Sequence, residues 1–249
     1  MTRVTLVTCV YLRRELTRAF WVWAQWLQNR WAGHGIELSL VAATSDPNDA
    51  ALADEFGVCV VPHENVPLGR KFNAALQASR GAAAVLIMGS DDFFDAVVAD
   101  VLGEAVLAKR SVGFQDLYVA DLPGDRMRYI AGYRVRSRWI EPVGPGTLHF
   151  ADVLDRLNWR LWPDDKHHSM DYDRFLTLKA NKAMPQLLNL KVLGGAMVDV
   201  KTEVNMWPFD RTRKQPIMSA DEASEIWAQF PADVVDAIQS ARPFAGAAA

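Results

Sequence analysis

The chain is poor in cysteine: Cys9 and Cys59 are the only two in 249 residues. Both sit in apolar runs, so they read as buried free thiols of a reducing compartment rather than as a disulfide or a zinc site. Charge of one sign is not in excess either. A formal net charge of −3 gives no global attraction to nucleic acid or anionic membrane, so a polyanionic partner must be met by a local patch. No apolar run approaches the ~20 residues of a membrane-spanning helix. The run from Val4 to Leu12 has no basic segment before it, and Arg13, Arg14 and Glu15 follow directly, which does not fit a signal peptide. The expected location is cytoplasmic, with no membrane segment. Also absent are the two common glycine-rich phosphate loops, GxxxxGK[ST] and a GxGxxG after the first strand.

What is present alternates in period. Val4 to Val10 is a β-branched apolar run that reads as a buried strand. Leu12, Leu16, Phe20, Trp23, Leu27 and Trp31 then recur at helical spacing up to Gly33 and Gly35. Strands are expected at 36–43, 58–62 and 83–88, with helices opening after Asp46-Pro47 and at Leu68. Alternation of this kind predicts an α/β fold with a mostly parallel sheet. The second half predicts β segments at 112–118, 127–139 and 192–200, with helices at 151–157 and 172–179. Ser219 with Glu222 resembles a capping box opening a C-terminal helical tail. The expected organisation is a single Rossmann-like domain over 1–218, followed by C-terminal helices and a frayed end over 219–249. Within the domain, residues 1–100 and 101–218 read as two halves, the second with a β extension.

In an open parallel sheet, ligands bind beyond the carboxyl ends of the strands. After the strand ending at Met88 comes Gly89-Ser90-Asp91-Asp92. Adjacent carboxylates repel unless a cation or hydrogen bonds offset them, and oxygen-only ligation suits Mg²⁺ or Mn²⁺ on a diphosphate. The alternative is a solvated turn in which one aspartate caps the next helix. Arg13 and Arg14 open one helix and Arg70 and Lys71 another, where cations disfavour the helix dipole unless an anion binds there. Their alternative is snorkelling into solvent.

Leu68-Gly69-Arg70-Lys71-Phe72-Asn73-Ala74-Ala75-Leu76, then Arg80-Gly81, then a strand closing on Ser90-Asp91-Asp92, resembles the donor half of GT-A-fold glycosyltransferases, most of all the large inverting family 2. The resemblance covers roughly 1–100 and thins out to about 205. It implies a metal-dependent glycosyltransferase that takes a nucleoside-diphosphate sugar, UDP by family habit, and transfers the sugar with inversion to an acceptor hydroxyl. Thr8, Tyr11 and Asp46 match positions that hold the base. Arg13, Arg70, Lys71 and Asn73 complete the donor-binding set, with Asp91 toward the ribose and Asp92 on the metal. Gly89 stands where the family often has a further carboxylate, which leaves the division of labour between the two aspartates open. A base is expected just before a helix, which points to Asp171 with Asp173 in reserve; the alternative is that Asp171 caps that helix.

Other polar groups are candidates for the acceptor side. His149 is one, and Trp207 is another, following the polar stretch Asp199-Val200-Lys201-Thr202. His167 and His168 are either a further metal contact or a solvated pair. Arg134, Arg136 and Arg138 alternate and share parity with Arg126 and Arg128. On one continuous strand they would face one side, either solvated or set against the phosphates of a nucleic acid. The acceptor therefore stands open between a modified nucleic-acid base and a protein or glycan hydroxyl. Two further readings are a sugar-phosphate nucleotidyltransferase, which the glycine-free Thr8-Cys9-Val10-Tyr11 disfavours, and an inactive nucleic-acid- or sugar-binding module.

Overall fold

The structure, a computed structural model, describes residues 1–133, 138–202 and 208–242. Strands β1 (Thr2–Cys9), β2 (Ile36–Thr44), β3 (Cys59–Pro62) and β4 (Ala84–Ile87) are the parallel strands expected, alternating with helices α1 (Arg14–Ala32), α2 (Pro47–Glu55) and α3 (Leu68–Ala78). They belong to a seven-stranded sheet whose other members are β6 (Val112–Phe114), β9 (Thr147–Phe150) and β10 (Gln186–Leu188), in the order β10-β6-β9-β4-β1-β2-β3. Strand β9 runs antiparallel between β4 and β6, with Thr147 opposite Ile87. That reversal carries the preceding turn, Gly144-Pro145-Gly146, to the carboxyl end of β4, where the Gly146 N–H bonds the Ile87 carbonyl at 2.9 Å.

A second sheet has the order β5-β11-β7-β8, from β5 (Asp92–Phe94), β7 (Leu117–Asp121), β8 (Arg126–Ile130) and β11 (Met197–Lys201). This is the β extension, and it stands directly after the aspartate pair. Helix α1 locks the two sheets together. Leu16, Phe20, Trp23, Leu27 and Trp31 are buried, as the spacing predicts, and an aliphatic or Phe side chain so placed contributes roughly 1.5–3 kcal/mol. Buried indoles need a partner for their N–H: Trp23 donates to the Phe94 carbonyl of β5 and Trp31 to the Ala99 carbonyl of α4 (Ala96–Leu107), each at 2.9 Å. The position of β5 is thus held by a helix more than sixty residues earlier.

Several expectations are corrected. Leu12 lies before α1 with positive φ and is exposed, because the helix begins only at Arg14. Cys59 is exposed, since β3 is an edge strand with one flank uncovered. The β segment expected from Met127 to Trp139 stops at Ile130; Gly132 turns the chain at φ +93°, where a side chain would strike the Gln115 carbonyl at 2.4 Å. Residues 192–196 are not strand: α7 (Leu190–Leu193) occupies them first, and β11 begins at Met197. The capping box at Ser219 and Glu222 opens α8 (Ala220–Trp227), and Pro231 precedes α9 (Ala232–Ser240). Val234 and Ile238 of α9 are fully buried in the same core as α1, so these helices are built into the fold. The expected frayed end beyond 242 lies outside the described residues. No described helix is long and apolar enough to cross a membrane.

Candidate active site

The aspartate pair does not cap a helix. Asp95 caps α4, accepting from Val98 N–H and, across to the loop before β11, from Ala196 N–H, both at 2.9 Å. Asp92 instead starts β5 and is paired directly opposite Asp199 of β11. Opposed residues of antiparallel strands project to one side of the sheet, so a third carboxyl group joins the pair. Ligand oxygens of Asp91, Asp92 and Asp199 lie within 4.8 Å of one another. Two cations are built in beside them. Arg13, at the start of α1, donates to Asp91 Oδ2 at 2.5 Å and to Ser90 Oγ at 3.0 Å. Lys201, two residues past Asp199 on the same strand face, places Nζ 2.5 Å from Asp199 Oδ1 and 3.7 Å from Asp91 Oδ2. The Arg13 charge is therefore answered by Asp91, whereas Arg14 beside it is exposed.

The three carboxyl groups differ in charge state. Burial would raise the Asp91 pKa, but Arg13 and Lys201 outweigh it and hold it at about 2. Burial, then repulsion from Asp199 and Asp91, pushes Asp92 well above the usual carboxylate range. Burial lifts Asp199 to about 6 in spite of Lys201. Burial and mutual repulsion that raise carboxyl pKa values mark a place short of positive charge, the condition a divalent cation relieves. The local backbone fits such an ion. Gly89 donates its N–H to Asp92 Oδ2 at 2.9 Å, and a Cβ at Gly89 would lie 2.3 Å from that oxygen and 2.8 Å from Asp91. Glycine, where the family pattern often has a carboxylate, leaves the room in which the aspartates converge.

The donor-side candidates divide by place. Thr8, at the end of β1, is fully buried, and Tyr11 beyond it is 40% exposed. Asp46 caps α2 through Asn48 and Asp49 N–H groups, at 2.7 and 3.2 Å. Arg70 is exposed. Lys71 is fully buried: Nζ donates to the Val10 carbonyl at 2.8 Å and Asn65 Oδ1 at 3.0 Å, and stands 5.7 Å from the Tyr11 ring. It braces the loop after β1 from beneath. Asn73 is a correction. Its amide donates to the Trp162 carbonyl and Asp164, and its oxygen accepts from Leu161 and Trp162 N–H, which occupies the whole hydrogen-bonding capacity of the side chain. Asp49, which no sequence signal singled out, accepts from Leu12 N–H at 3.1 Å and fixes the same loop.

A cavity of about 640 Å³ opens beside the acidic cluster. Asp199 and Lys201 line it together with Asp171, Tyr133, Arg138, Tyr172 and His168. Asp171 lies in the first turn of α6 (Met170–Ala180), and its Oδ2 accepts from the Tyr133 hydroxyl at 3.0 Å. Behind it Arg174, fully buried, donates to Thr147 Oγ1 and the Gly144 carbonyl, each at 2.8 Å, with Nη2 3.9 Å from Asp171 Oδ1. Asp173 is not among the lining residues and stands 3.7 Å from Lys166. His167 and His168 line the cavity with their rings 4.8 Å apart, but neither belongs to the acidic cluster.

Two acceptor-side expectations are corrected. His149 is fully buried in β9 opposite Val85, and burial followed by Arg174 pushes its pKa down to about 3, so it is a neutral core residue. The arginine row does not form among the described residues. Arg126 pairs with Asp121, Arg128 is buried, and both guanidinium groups lie over the Phe209 ring, at 4.8 and 4.5 Å. Arg138 pairs with Glu141 and stacks 3.7 Å from the Tyr133 ring. Arg134, Arg136 and Trp207 lie outside the described residues.

No protein-family model and no curated protein matches the chain. Among solved structures it is similar to residues 1–349 of S. aureus TarS in complex with UDP-GlcNAc, at 15% identity and a TM-score of 0.56 over 82% of this chain and 60% of that one. It is also similar to the mannosyltransferase PcManGT from Pyrobaculum calidifontis in complex with GDP-Man and Mn²⁺, at 15% identity and a TM-score of 0.52 over 96% of this chain and 69% of that one. The chain thus spans about 60% of the TarS fragment it matches. With its reversed strand β9 and the small sheet that follows the acidic pair, this chain has the GT-A-type fold of these two glycosyltransferases.

Proposed function

We propose that this protein transfers a glycosyl group from a nucleoside-diphosphate sugar, UDP-linked by the family resemblance, to an acceptor hydroxyl with inversion. The observation that carries the reading is one cavity walled by the edge of the acidic cluster, Asp199 and Lys201, and by the carboxylate of Asp171. The donor's diphosphate belongs on the acidic side, with Thr8, Tyr11 and Asp46 toward the base. The acceptor belongs against Tyr133, Tyr172 and Arg138.

In that arrangement the acceptor oxygen attacks the anomeric carbon from the face opposite the diphosphate. The bond from that carbon to the diphosphate oxygen breaks, its electron pair leaves with the diphosphate, and Asp171 takes the acceptor's proton. Tyr133, donating to Asp171 Oδ2, and Arg174, with Nη2 3.9 Å from Oδ1, orient the carboxylate. Asp91, Asp92 and Asp199 would hold Mn²⁺ or Mg²⁺, which supplies positive charge against the leaving diphosphate. The ligands of the two similar structures, UDP-GlcNAc in one and GDP-Man with Mn²⁺ in the other, support a nucleotide-sugar donor.

The test is a donor screen: release of nucleoside diphosphate from a panel of nucleotide sugars, with Mn²⁺, with Mg²⁺ and with EDTA. The expected result is metal-dependent turnover of at least one donor. Turnover of none, or equal turnover in EDTA, overturns the reading.

A further inference from the structure

We propose that Lys201 is the resident counter-cation of the acidic cluster: it holds the third carboxylate when no divalent ion is bound and gives it up to the ion. Once displaced, its ammonium turns to the donor diphosphate. The inference rests on the metal and donor reading above.

The geometry separates two kinds of cation at this site. Arg13 is fixed, its guanidinium bridging Asp91 and Ser90 from the start of a nineteen-residue helix. Lys201 is a point charge on a four-carbon stem, able to move its nitrogen by several ångströms without moving the backbone. Its side chain is only 7% exposed and lines the cavity, so it stands at the wall that a ligand in that cavity would meet. At 2.5 Å from Asp199 Oδ1, Nζ occupies the space that a metal would need in order to use that oxygen.

Formal charge gives the same result. Three carboxylates, Arg13 and Lys201 sum to −1 when all are ionised, and a divalent ion makes the sum +1. Bound diphosphate diester, at about −2, then draws the displaced ammonium, whose former partner is neutralised by the ion. A lysine so placed weakens metal binding in the empty protein and strengthens nucleotide binding in the loaded one. Metal and donor would therefore enter with positive cooperativity.

The test uses two binding measurements on the full chain, neither of which needs turnover. Mn²⁺ binding is followed by electron paramagnetic resonance without nucleotide, and UDP binding by calorimetry at saturating Mn²⁺. Lys201→Met should bind Mn²⁺ about tenfold tighter than the wild type and UDP about tenfold weaker, while Lys201→Arg stays near the wild type for Mn²⁺. Effects of opposite sign are the signature, because loss of a merely structural lysine would weaken both. If Lys201→Met does not fold, Lys201→Gln carries the same expectation. Unchanged or weaker Mn²⁺ binding by the folded variant overturns the proposal while leaving the metal reading intact. Failure of the wild type and both variants to bind Mn²⁺ overturns both together.

Discussion

Asp199 stands directly opposite Asp92 in the antiparallel pairing of β11 with β5, and its charge adds to burial in pushing the Asp92 carboxyl toward the neutral form. A carboxyl group whose folded-state pKa is raised favours the fold least when ionised. Stability is then lost as pH climbs from the unfolded value, about 4, through the folded one. Asp92→Asn keeps an oxygen for the Gly89 N–H and removes that penalty. Without metal, the variant should melt several degrees above the wild type at pH 7.5, at roughly 2–4 °C per kcal/mol. At pH 4 the two should nearly coincide, because the wild-type carboxyl is already protonated there. Thermal melts at both pH values in EDTA check this; a variant less stable at pH 7.5 would show that the crowding of these acids is not unfavourable.

Asp171 and Asp173 are separated by the cavity wall. Asp171→Asn should lower turnover by at least about a hundredfold with UDP affinity nearly unchanged, the pattern of a group used in the transition state. Asp173→Asn should stay within a few-fold of the wild type. Steady-state kinetics with calorimetric UDP binding separates the two. The reverse pattern would exchange their roles, and lost UDP binding in Asp171→Asn would make it a structural residue.

Arg126 and Arg128 pack on Phe209, and Arg128 is buried there. Arg128→Ala should lower the melting temperature and leave unchanged the salt dependence of any DNA binding. If the protein does bind DNA and this variant reduces the slope of log affinity against log salt by about one, Arg128 reaches a phosphate and the buried placement is wrong in solution.

Asn73→Ala strips four hydrogen bonds from the segment at 161–164. With buried backbone groups left unpaired, the expected loss is about 2–4 kcal/mol of stability, with UDP affinity of the folded protein preserved. Urea unfolding and UDP titration decide it. Weakened UDP binding at full stability would return Asn73 to the donor site.

What was legible in the sequence follows from where the signals are local. The β1 to β4 alternation, the α1 stripe and the Asp91-Asp92 pair each lie within one short run, and each reappears within a few residues of its expected place. The third carboxylate does not, because Asp199 meets Asp92 only through strand pairing across the chain; the polar end of an apolar strand at Asp199 and Lys201 was its single trace. The same holds for Tyr133 with Asp171 and for Arg174, whose contacts depend on the reversal of β9. Parity is a weak guide at Arg126 and Arg128, since alternation signifies a face only while the strand continues, and β8 ends at Ile130; Arg134 and Arg136 lie outside the described residues. Asn73 enters the donor set only through the family resemblance, and its four hydrogen bonds to 161–164 depend on a contact nearly ninety residues away that no local pattern shows.

The most direct measurement is an anomalous-difference map from crystals grown with Mn²⁺ and a turnover-resistant UDP-sugar. The expected map has a manganese peak between Asp91, Asp92 and Asp199, with the sugar ring in the cavity on the side of Asp171 and the Lys201 ammonium turned away from Asp199 toward the diphosphate. A peak elsewhere, or a sugar directed away from Asp171, would contradict glycosyl transfer at this site.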